Sequence, residues 1–315
     1  MTDEIGAERG TGWKKAIPEE RDRLQSRVLV WVVGGLLVWM GISALRLAFE
    51  QVEQFPVFVL GAIAVSLGFA VVVRMLRAAT TAAAGCGGMI CLLLTLWTGK
   101  FNSSVGRTAI VPLAALFALT FLSTRAGRQK KARAGLAERR RGRSASQVIA
   151  NLSVSALCVT PIAYLFIGRV MTPCCVSGLA NVWIDTTMKM MCLAALVEAT
   201  ADTVSSEIGQ AFGGTPVMLL SLRRAEPGTD GAITVLGSLA GIVGGALVAA
   251  VGMWALRLTL AEAGIALAAG IGGLFFDSLL GATVERKGWL GNDLVNFAST
   301  VFAAGMALGL LRIVR

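Results

Sequence analysis

Histidine, tyrosine and charge are scarce or missing in this sequence. The 315 residues contain no histidine and one tyrosine, and 15% of them are charged. Without imidazole, zinc or haem sites built on histidine are excluded, so a bound metal must be held by oxygen ligands, which favours magnesium. The six cysteines form no CxxC pair and lie mostly in apolar runs, which indicates packing. A Walker sequence and G-x-G-x-x-G are also absent, which excludes two common nucleotide-binding motifs.

Most of the remaining sequence is apolar. Hydrophobic residues make up 55% of the chain, and the mean hydropathy is +0.72. Runs close to the roughly 20 residues of a spanning helix lie at 28–48, 56–73, 81–99, 107–123, 147–168, 233–256, 263–281 and 294–313, and a ninth, more polar run lies at 183–201. Asp185 and Lys189 interrupt the ninth run at a spacing that allows them to pair on one helix face. The sequence therefore predicts an all-α, polytopic transmembrane bundle of about nine spans.

The basic residues predict the orientation of these spans. Lys and Arg number 29 against 19 acids, and they concentrate before the first span and between Arg125 and Arg143. By the positive-inside rule, the N-terminus is cytoplasmic, as are the loops after spans four, six and eight. We expect a cytoplasmic tail at 1–27 with no cleaved signal and a short helix beginning at Pro18, transmembrane helices at 28–122, a basic cytoplasmic loop at 123–146 and a catalytic transmembrane core at 147–315.

The first of three polar clusters begins the fifth predicted span. Arg143, Gln147 and Asn151 are spaced four residues apart, which places them on one face of a helix. The preceding arginine run, which includes residues 139–141, is typical of a topology signal that meets acidic lipid headgroups rather than nucleic acid. The two amides lie further along the helix, where a topology signal requires no polar side chain. We therefore expect these three side chains to contact a ligand.

The second cluster follows the ninth apolar run. Its residues are Glu198, Asp202, Ser205, Ser206 and Gly209, at helical spacing along one stripe, with Glu207 off the stripe. Carboxylates and hydroxyls are typical of magnesium and phosphate sites. The loop that follows contains Thr229, Asp230 and Gly231 just before the next span. Its backbone N–H groups suit phosphate at a helix N-terminus, although simple turn formation explains the same residues.

The third cluster joins the last two spans. Asp277, Gly281 and Glu285 share one helix face, and Asn292 and Asn296 begin the final span. Burying a charge at membrane depth costs at least about 2.5–3.5 kcal/mol, so carboxylates retained there indicate a function. On chemistry alone, catalysis and a cation pathway in a secondary transporter both remain open.

The motifs resemble those of a known family. The runs 142–151, 198–209, 227–231, 276–282 and 292–296 are similar, in content and order, to the integral membrane family that includes the phytyl-phosphate kinases. The similarity extends from about Pro112 to the C-terminus. It implies a CTP-dependent prenyl-phosphate kinase, distantly akin to dolichol kinases and CDP-diacylglycerol synthases. Ser144 stands where an acid is common and Glu285 where an amide is expected, and these departures bear on substrate preference.

The resemblance implies transfer of the γ-phosphoryl group of CTP to a prenyl monophosphate such as phytyl phosphate. Asp202, Asp277 and Arg143 are the expected catalytic residues, and Glu198 and Glu207 are further candidates for magnesium. The expected contacts to nucleotide and phosphate are Gln147, Asn151, Ser205, Ser206, Glu207, Gly209, Thr229, Asp230, Gly231, Ser278, Gly281, Asn292 and Asn296. The prenyl tail would enter between helices from the bilayer, and the site would face the cytoplasm of a bacterium. A prenyl alcohol kinase and a secondary transporter are the alternatives.

Overall fold

The computed structural model describes residues 17–99, 104–136, 142–171 and 178–314. The helices are α1 (Glu19–Leu29), α2 (Gly35–Glu50), α3 (Pro56–Met75), α4 (Thr81–Thr98), α5 (Ile110–Arg125), α6 (Arg128–Arg133), α7 (Ala145–Leu157), α8 (Pro161–Met171), α9 (Gly178–Phe212), α10 (Val235–Leu256), α11 (Leu260–Leu280) and α12 (Asn292–Val314). A π-helical stretch at Val30–Gly34 joins α1 to α2, another at Gly281–Glu285 extends α11, and a 3-10 turn lies at Val105–Arg107. Two short antiparallel strands, β1 (Val217–Met218) and β2 (Ala232–Ile233), connect α9 to α10.

The protein is an all-α polytopic membrane protein, with helices at each predicted apolar run. Six of the described helical segments, with Glu19–Glu50 taken as one, are long and apolar enough to cross a membrane, and α7 with α8 would make a seventh. The shorter α5 and the more polar α9 fall outside this set. The count of nine spans and the orientation of the N-terminus therefore stay predictions.

Two predicted segments differ from the structure. The run at 147–168 is two helices, α7 and α8, bent by 56° relative to each other. Pro161 begins α8 and lacks a backbone donor, so a continuous helix would lose a hydrogen bond there. The ninth run is part of the 35-residue helix α9, which continues beyond Ala201 to Phe212. The second polar cluster therefore lies on the last turns of this long helix, in agreement with its helical spacing.

Helix α9 is the centre of the bundle. It packs against α5, α7, α10, α11 and α12. Every residue from 190 to 201 is buried, including Glu198 and the small residues around it. Nearer the start of α9, Lys189 Nζ and Asp185 Oδ2 lie 2.6 Å apart, so the predicted pair is present.

Glycines let α10 lie unusually close to α9. A Cβ placed on Gly241 would lie 2.5 Å from the Ala201 carbonyl oxygen, and one on Gly237 would lie 2.5 Å from that of Ser205. These separations are shorter than atomic contacts allow, so only glycine fits at either position. The spacing of Gly237, Gly241 and Gly245 every four residues is therefore a packing motif of small residues.

The first described helix is tied to the turn before α12. Helix α1 begins directly after Pro18, as predicted, and residues 19–27 of the expected tail are helical. Arg21 Nη1 donates to the Gly288 carbonyl at 3.2 Å, and Ser26 Oγ donates to Asp293 Oδ2 at 2.7 Å. Gln25 accepts from the Gly291 N–H at 2.8 Å. Residues 1–16 lie outside the described part of the chain.

Replacing Gly241 by Ala should destabilise the bundle. The added methyl group meets backbone and cannot be relieved by a side-chain rotation, so we expect a loss of about 1–3 kcal/mol. Gly305→Ala is the control, since a Cβ at this position in α12 has no neighbour within 4 Å. Thermal unfolding in detergent should show a lower midpoint for Gly241→Ala and no loss for Gly305→Ala. Equal midpoints would contradict the close helix approach.

Candidate active site

The three polar clusters line one cavity of about 380 Å³ beside the C-terminal end of α9, which we term the polar cavity. Its lining includes Arg143, Gln147 and Asn151 from the first cluster, Asp202, Ser205, Ser206, Glu207 and Gly209 from the second, Asp277, Ser278, Gly281, Glu285, Asn292 and Asn296 from the third, and Thr229, Asp230 and Gly231 from the loop. The structure thus brings residues of all three clusters to one cavity. The side of the membrane on which they lie stays a prediction.

Glu198 lies buried beneath the polar cavity. Its side chain is 1% exposed, and its Oε1 accepts a hydrogen bond from Ser299 Oγ at 2.7 Å. Gly273 of α11 makes room for it, because a Cβ there would lie 2.5 Å from the Glu198 Cγ. Glu198 Oε2 and Asp277 Oδ2 are both buried without a hydrogen-bond partner among the described residues. Buried polar atoms of this kind call for an explanation, and a bound cation supplies one.

The polar cavity is rich in negative charge. Five acids line it, namely Asp202, Glu207, Asp230, Asp277 and Glu285, whereas Arg143 is the single basic residue among its described lining residues. Glu198, Asp202 and Asp277 lie close enough to repel one another, and Arg143 partly offsets the charge of Asp202. The arrangement therefore favours a cation from solution.

The described residues do not provide a complete set of protein ligands for a metal ion. Within the described ranges, no three side chains of histidine, cysteine, aspartate or glutamate are grouped so as to hold a metal ion. Magnesium usually takes one or two carboxylates and completes its shell with water and substrate phosphate. The magnesium assignment accordingly stays a prediction.

Backbone contacts fix the position of Arg143. Its N–H donates to the Ala78 carbonyl at 2.9 Å, and its own carbonyl accepts from the Thr80 N–H at 3.0 Å. The preceding Gly142 has φ +74°, and a Cβ there would lie 2.5 Å from the backbone of Ala78. Only glycine meets both conditions. From this anchor, Arg143 Nη2 reaches Thr203 Oγ1 of α9 at 3.4 Å.

The amides of the first cluster have structural partners in addition to lining the cavity. Gln147 Oε1 accepts from the Ser144 N–H at 2.8 Å, which completes a capping box at the start of α7. Asn151 Oδ1 accepts from Asn296 Nδ2 at 3.1 Å and joins α7 to α12. Their capacity for ligand contact is therefore smaller than the sequence alone suggests. Ser144, where an acid is common in the resembled family, serves as the helix cap.

Three helices begin at the polar cavity. Gln147 lies in the first turn of α7, Thr234 caps α10 and Asn292 begins α12, and all three residues line the cavity. Helix N-termini carry partial positive charge and unpaired N–H groups, which favour anions. The acids and these N-termini together suit a bound cation and phosphate side by side.

The loop before α10 is held against the end of α11. Gly231 has φ +73°, and a Cβ there would lie 2.1 Å from the Ala282 backbone nitrogen. On the other side of this contact, a Cβ on Gly281 would lie 2.7 Å from the Gly231 nitrogen. Both glycines are thus required by close packing. Turn formation accounts for the glycine in this loop, while phosphate binding by its backbone stays a prediction.

Lys131 is a site-forming residue that the sequence reasoning placed in the topology signal. Its side chain is 1% exposed and forms an ion pair with Glu207 Oε2. Its Nζ also donates to the Thr124 carbonyl at 2.9 Å, and Thr124 Oγ1 donates to Glu207 Oε1 at 3.2 Å. Because both oxygens of Glu207 have partners, the stronger metal candidates are Asp202 and Asp277. Residues 139–141 of the same basic run lie outside the described residues.

Ser299 is a second residue of the site that the sequence analysis did not identify, although its spacing could have indicated it. Ser299 lies three residues beyond Asn296 and seven beyond Asn292, on the same helix stripe. Extending that stripe by one step would have predicted that Ser299 shares a face with the two asparagines, although its contact with Glu198 required the structure. Lys131, in contrast, is one cation in a basic run, and no spacing marks it as buried.

Comparison with known proteins now places the chain. Residues 63–304 match the family described as Integral membrane protein DUF92. The chain belongs to this family. The family resemblance predicted from the motifs is confirmed, and the match begins well before Pro112, so it also takes in most of α3 and all of α4. No solved structure matches the chain.

Three relatives of this DUF92 protein come from an archaeon, a cyanobacterium and a plant. An uncharacterised membrane protein of Methanocaldococcus jannaschii is 41% identical over 115 residues, 36% of this chain and 46% of the relative. One of Synechocystis is 27% identical over 218 residues, 66% of this chain and 76% of the relative. Protein VTE6, chloroplastic, of Arabidopsis thaliana is 28% identical over 195 residues, 61% of this chain and 55% of the relative. The matches thus span about half the length of the first and third relatives.

Removing the Lys131 ammonium should destabilise the fold. Lys131→Met leaves the largely buried Glu207 carboxylate without its cation, which costs about 3–5 kcal/mol. Adding Glu207→Gln should recover much of that loss, because the uncompensated charge is gone. Thermal unfolding of both single variants and the double variant in detergent measures the coupling. Strictly additive losses would show that the pair contributes nothing of its own.

Proposed function

We propose that the protein transfers the γ-phosphoryl group of CTP to a membrane-embedded prenyl monophosphate, giving the diphosphate and CDP. The observation that carries this proposal is the convergence of the three motif clusters on one acid-rich cavity with three helix N-termini. The motifs resemble those of the phytyl-phosphate kinases, and the relationship to VTE6 supports a kinase of this kind. Choice of nucleotide and of prenyl chain is part of the proposal.

Asp202 and Asp277 are the residues that would hold magnesium. They line the cavity, repel each other and, in Asp277, include a buried oxygen without a partner among the described residues. A site of this kind fits a divalent cation shared with substrate phosphates. Magnesium would supply neutralisation of the charge on the transferring phosphoryl group. Glu198 does not line the cavity, but it is buried nearby and accepts a hydrogen bond from Ser299. Its carboxylate would add to the negative charge of the site.

The chain's own residues would act mainly by positioning. In the reaction, an acceptor phosphate oxygen forms a bond to the γ-phosphorus of CTP, and the bond to the β-bridging oxygen breaks to release CDP. A phosphate monoester has a second pKa of about 6. The acceptor is therefore already an anionic nucleophile and needs no general base. Arg143 presents a planar guanidinium that binds two phosphate oxygens at once. The N-termini of α7, α10 and α12 favour the same anions.

One assay tests the reaction. Detergent-purified protein is incubated with CTP, magnesium and either phytyl monophosphate or phytol, and products are identified by mass spectrometry. We expect phytyl diphosphate and CDP, with phytyl monophosphate consumed far faster than phytol. A preference for phytol would assign an alcohol kinase, and release of pyrophosphate would assign a cytidylyl transferase. Binding of either lipid without nucleotide consumption would favour a transporter.

Replacing either proposed metal ligand should abolish turnover without unfolding the protein. We expect Asp202→Asn and Asp277→Asn each to lower kcat by at least about 100-fold, since one preorganised electrostatic contact has that worth. Asp185→Asn is the matched control on α9, because Asp185 pairs with Lys189 away from the cavity. Rates are measured across a magnesium titration, with unfolding midpoints recorded in parallel. Normal turnover by both site variants at every magnesium concentration would refute the assignment.

A further inference from the structure

A second cavity shares Arg143 with the polar cavity. It has a volume of about 340 Å³ and is enclosed by α3, α4, α5 and α7, and we term it the apolar cavity. Its walls are mainly aliphatic and aromatic side chains, among them Phe69, Val73, Leu113, Leu116, Phe117 and Phe121. Nothing in the proposed phosphoryl transfer so far uses this space.

An aromatic row forms one wall of the apolar cavity. The rings of Phe69 and Phe117 meet edge to face with centroids 5.6 Å apart, and Phe117 and Phe121 stack at 5.6 Å. The Arg125 guanidinium lies over the Phe121 ring at 4.0 Å, so the row ends at a cation. On α4, Gly87 lines the cavity, and the absence of a side chain there leaves part of the space open.

The charge around the apolar cavity is opposite to that of the polar cavity. Its lining includes the five cations Arg77, Arg125, Arg128, Lys131 and Arg143, of which Lys131 is paired with Glu207, and no acid occurs among its described lining residues. Arg77, Arg125 and Arg128 are exposed at its rim, whereas the apolar walls lie deeper. A ligand that fits must therefore combine an apolar body with an anionic end.

Arg143 and Asn151 line both cavities. A molecule whose tail lies among the phenylalanines can thus place its anionic end at Arg143, next to Asp202 and Thr203 of α9. The apolar cavity, with its basic rim, would bind the anionic acceptor. The polar cavity, with its acids, would bind the nucleotide together with its cation. The acceptor tail and the nucleotide would then occupy separate cavities, and their phosphates would meet at Arg143, which lines both.

We propose that the apolar cavity binds the tail of the acceptor, a single-chain prenyl phosphomonoester, with its phosphate at the Arg143 end. The assignment of this ligand as the acceptor rests on the proposed function, whereas the binding site itself does not. Phosphatidic acid carries the same headgroup on two acyl chains. It is therefore the competitor that separates recognition of the tail from recognition of any lipid phosphate.

Filling the cavity at Gly87 tests tail binding through chain length. A Cβ at Gly87 would contact Phe69 at an ordinary 3.4 Å, so larger side chains project into the space. Gly87→Leu should raise KM for phytyl monophosphate about tenfold, since excluding two methylene groups costs roughly that factor, and should spare geranyl monophosphate and CTP. Gly85→Leu is the control, because Gly85 is exposed on the same helix with no neighbour within 4 Å of a Cβ. The same KM values for both variants at every chain length would overturn the proposal.

A binding measurement separates this proposal from the reaction. Wild-type protein is irradiated with phytyl monophosphate that carries a diazirine on its tail, and the labelled peptides are mapped. Labelling of α3, α4 and α5 that excess phytyl monophosphate prevents and excess phosphatidic acid does not would support the site, even if CTP is never consumed. Labelling elsewhere, or equal competition by phosphatidic acid, would overturn it even if turnover occurs.

Discussion

The close packing of α9 inside the bundle is the constraint on which the site depends. A carboxylate at the depth of Glu198 is tolerated because Gly273 leaves room for its side chain and Ser299 donates to one oxygen. Gly241 brings the α10 backbone against α9 on another side. The bundle thereby surrounds a polar stripe with small residues, and the C-terminal part of this stripe, from Asp202 onward, lines the polar cavity.

The position of Arg143 is the second constraint on the site. Arg143 precedes α7, and its backbone is part of a parallel bridge to Ala79, so its position is set by the segment between α3 and α4. Its side chain extends towards α9. The residue thus links the N-terminal helices to α9, and the family match that begins at residue 63 includes both parts.

Hydropathy predicted most helices, and helical periodicity grouped several of the polar residues that line the polar cavity. Residues spaced four apart, such as Asp277, Gly281 and Glu285, do share a face, because helical geometry is local. The break at Pro161, the burial of Lys131 and the docking of α1 depend on contacts between distant segments. No single-segment pattern encodes such contacts, so these features required the structure.

The docking of α1 gives the chain's first described helix an influence at the far end of the sequence. Gln25 holds the backbone at Gly291, one residue before Asn292, which lines the polar cavity. Helix α1 therefore helps to hold the first turn of α12 in place. Changes that displace α1 would therefore reach Asn292 through the Gly291 backbone, whereas the last turn of α12 is exposed and far along the helix from this contact.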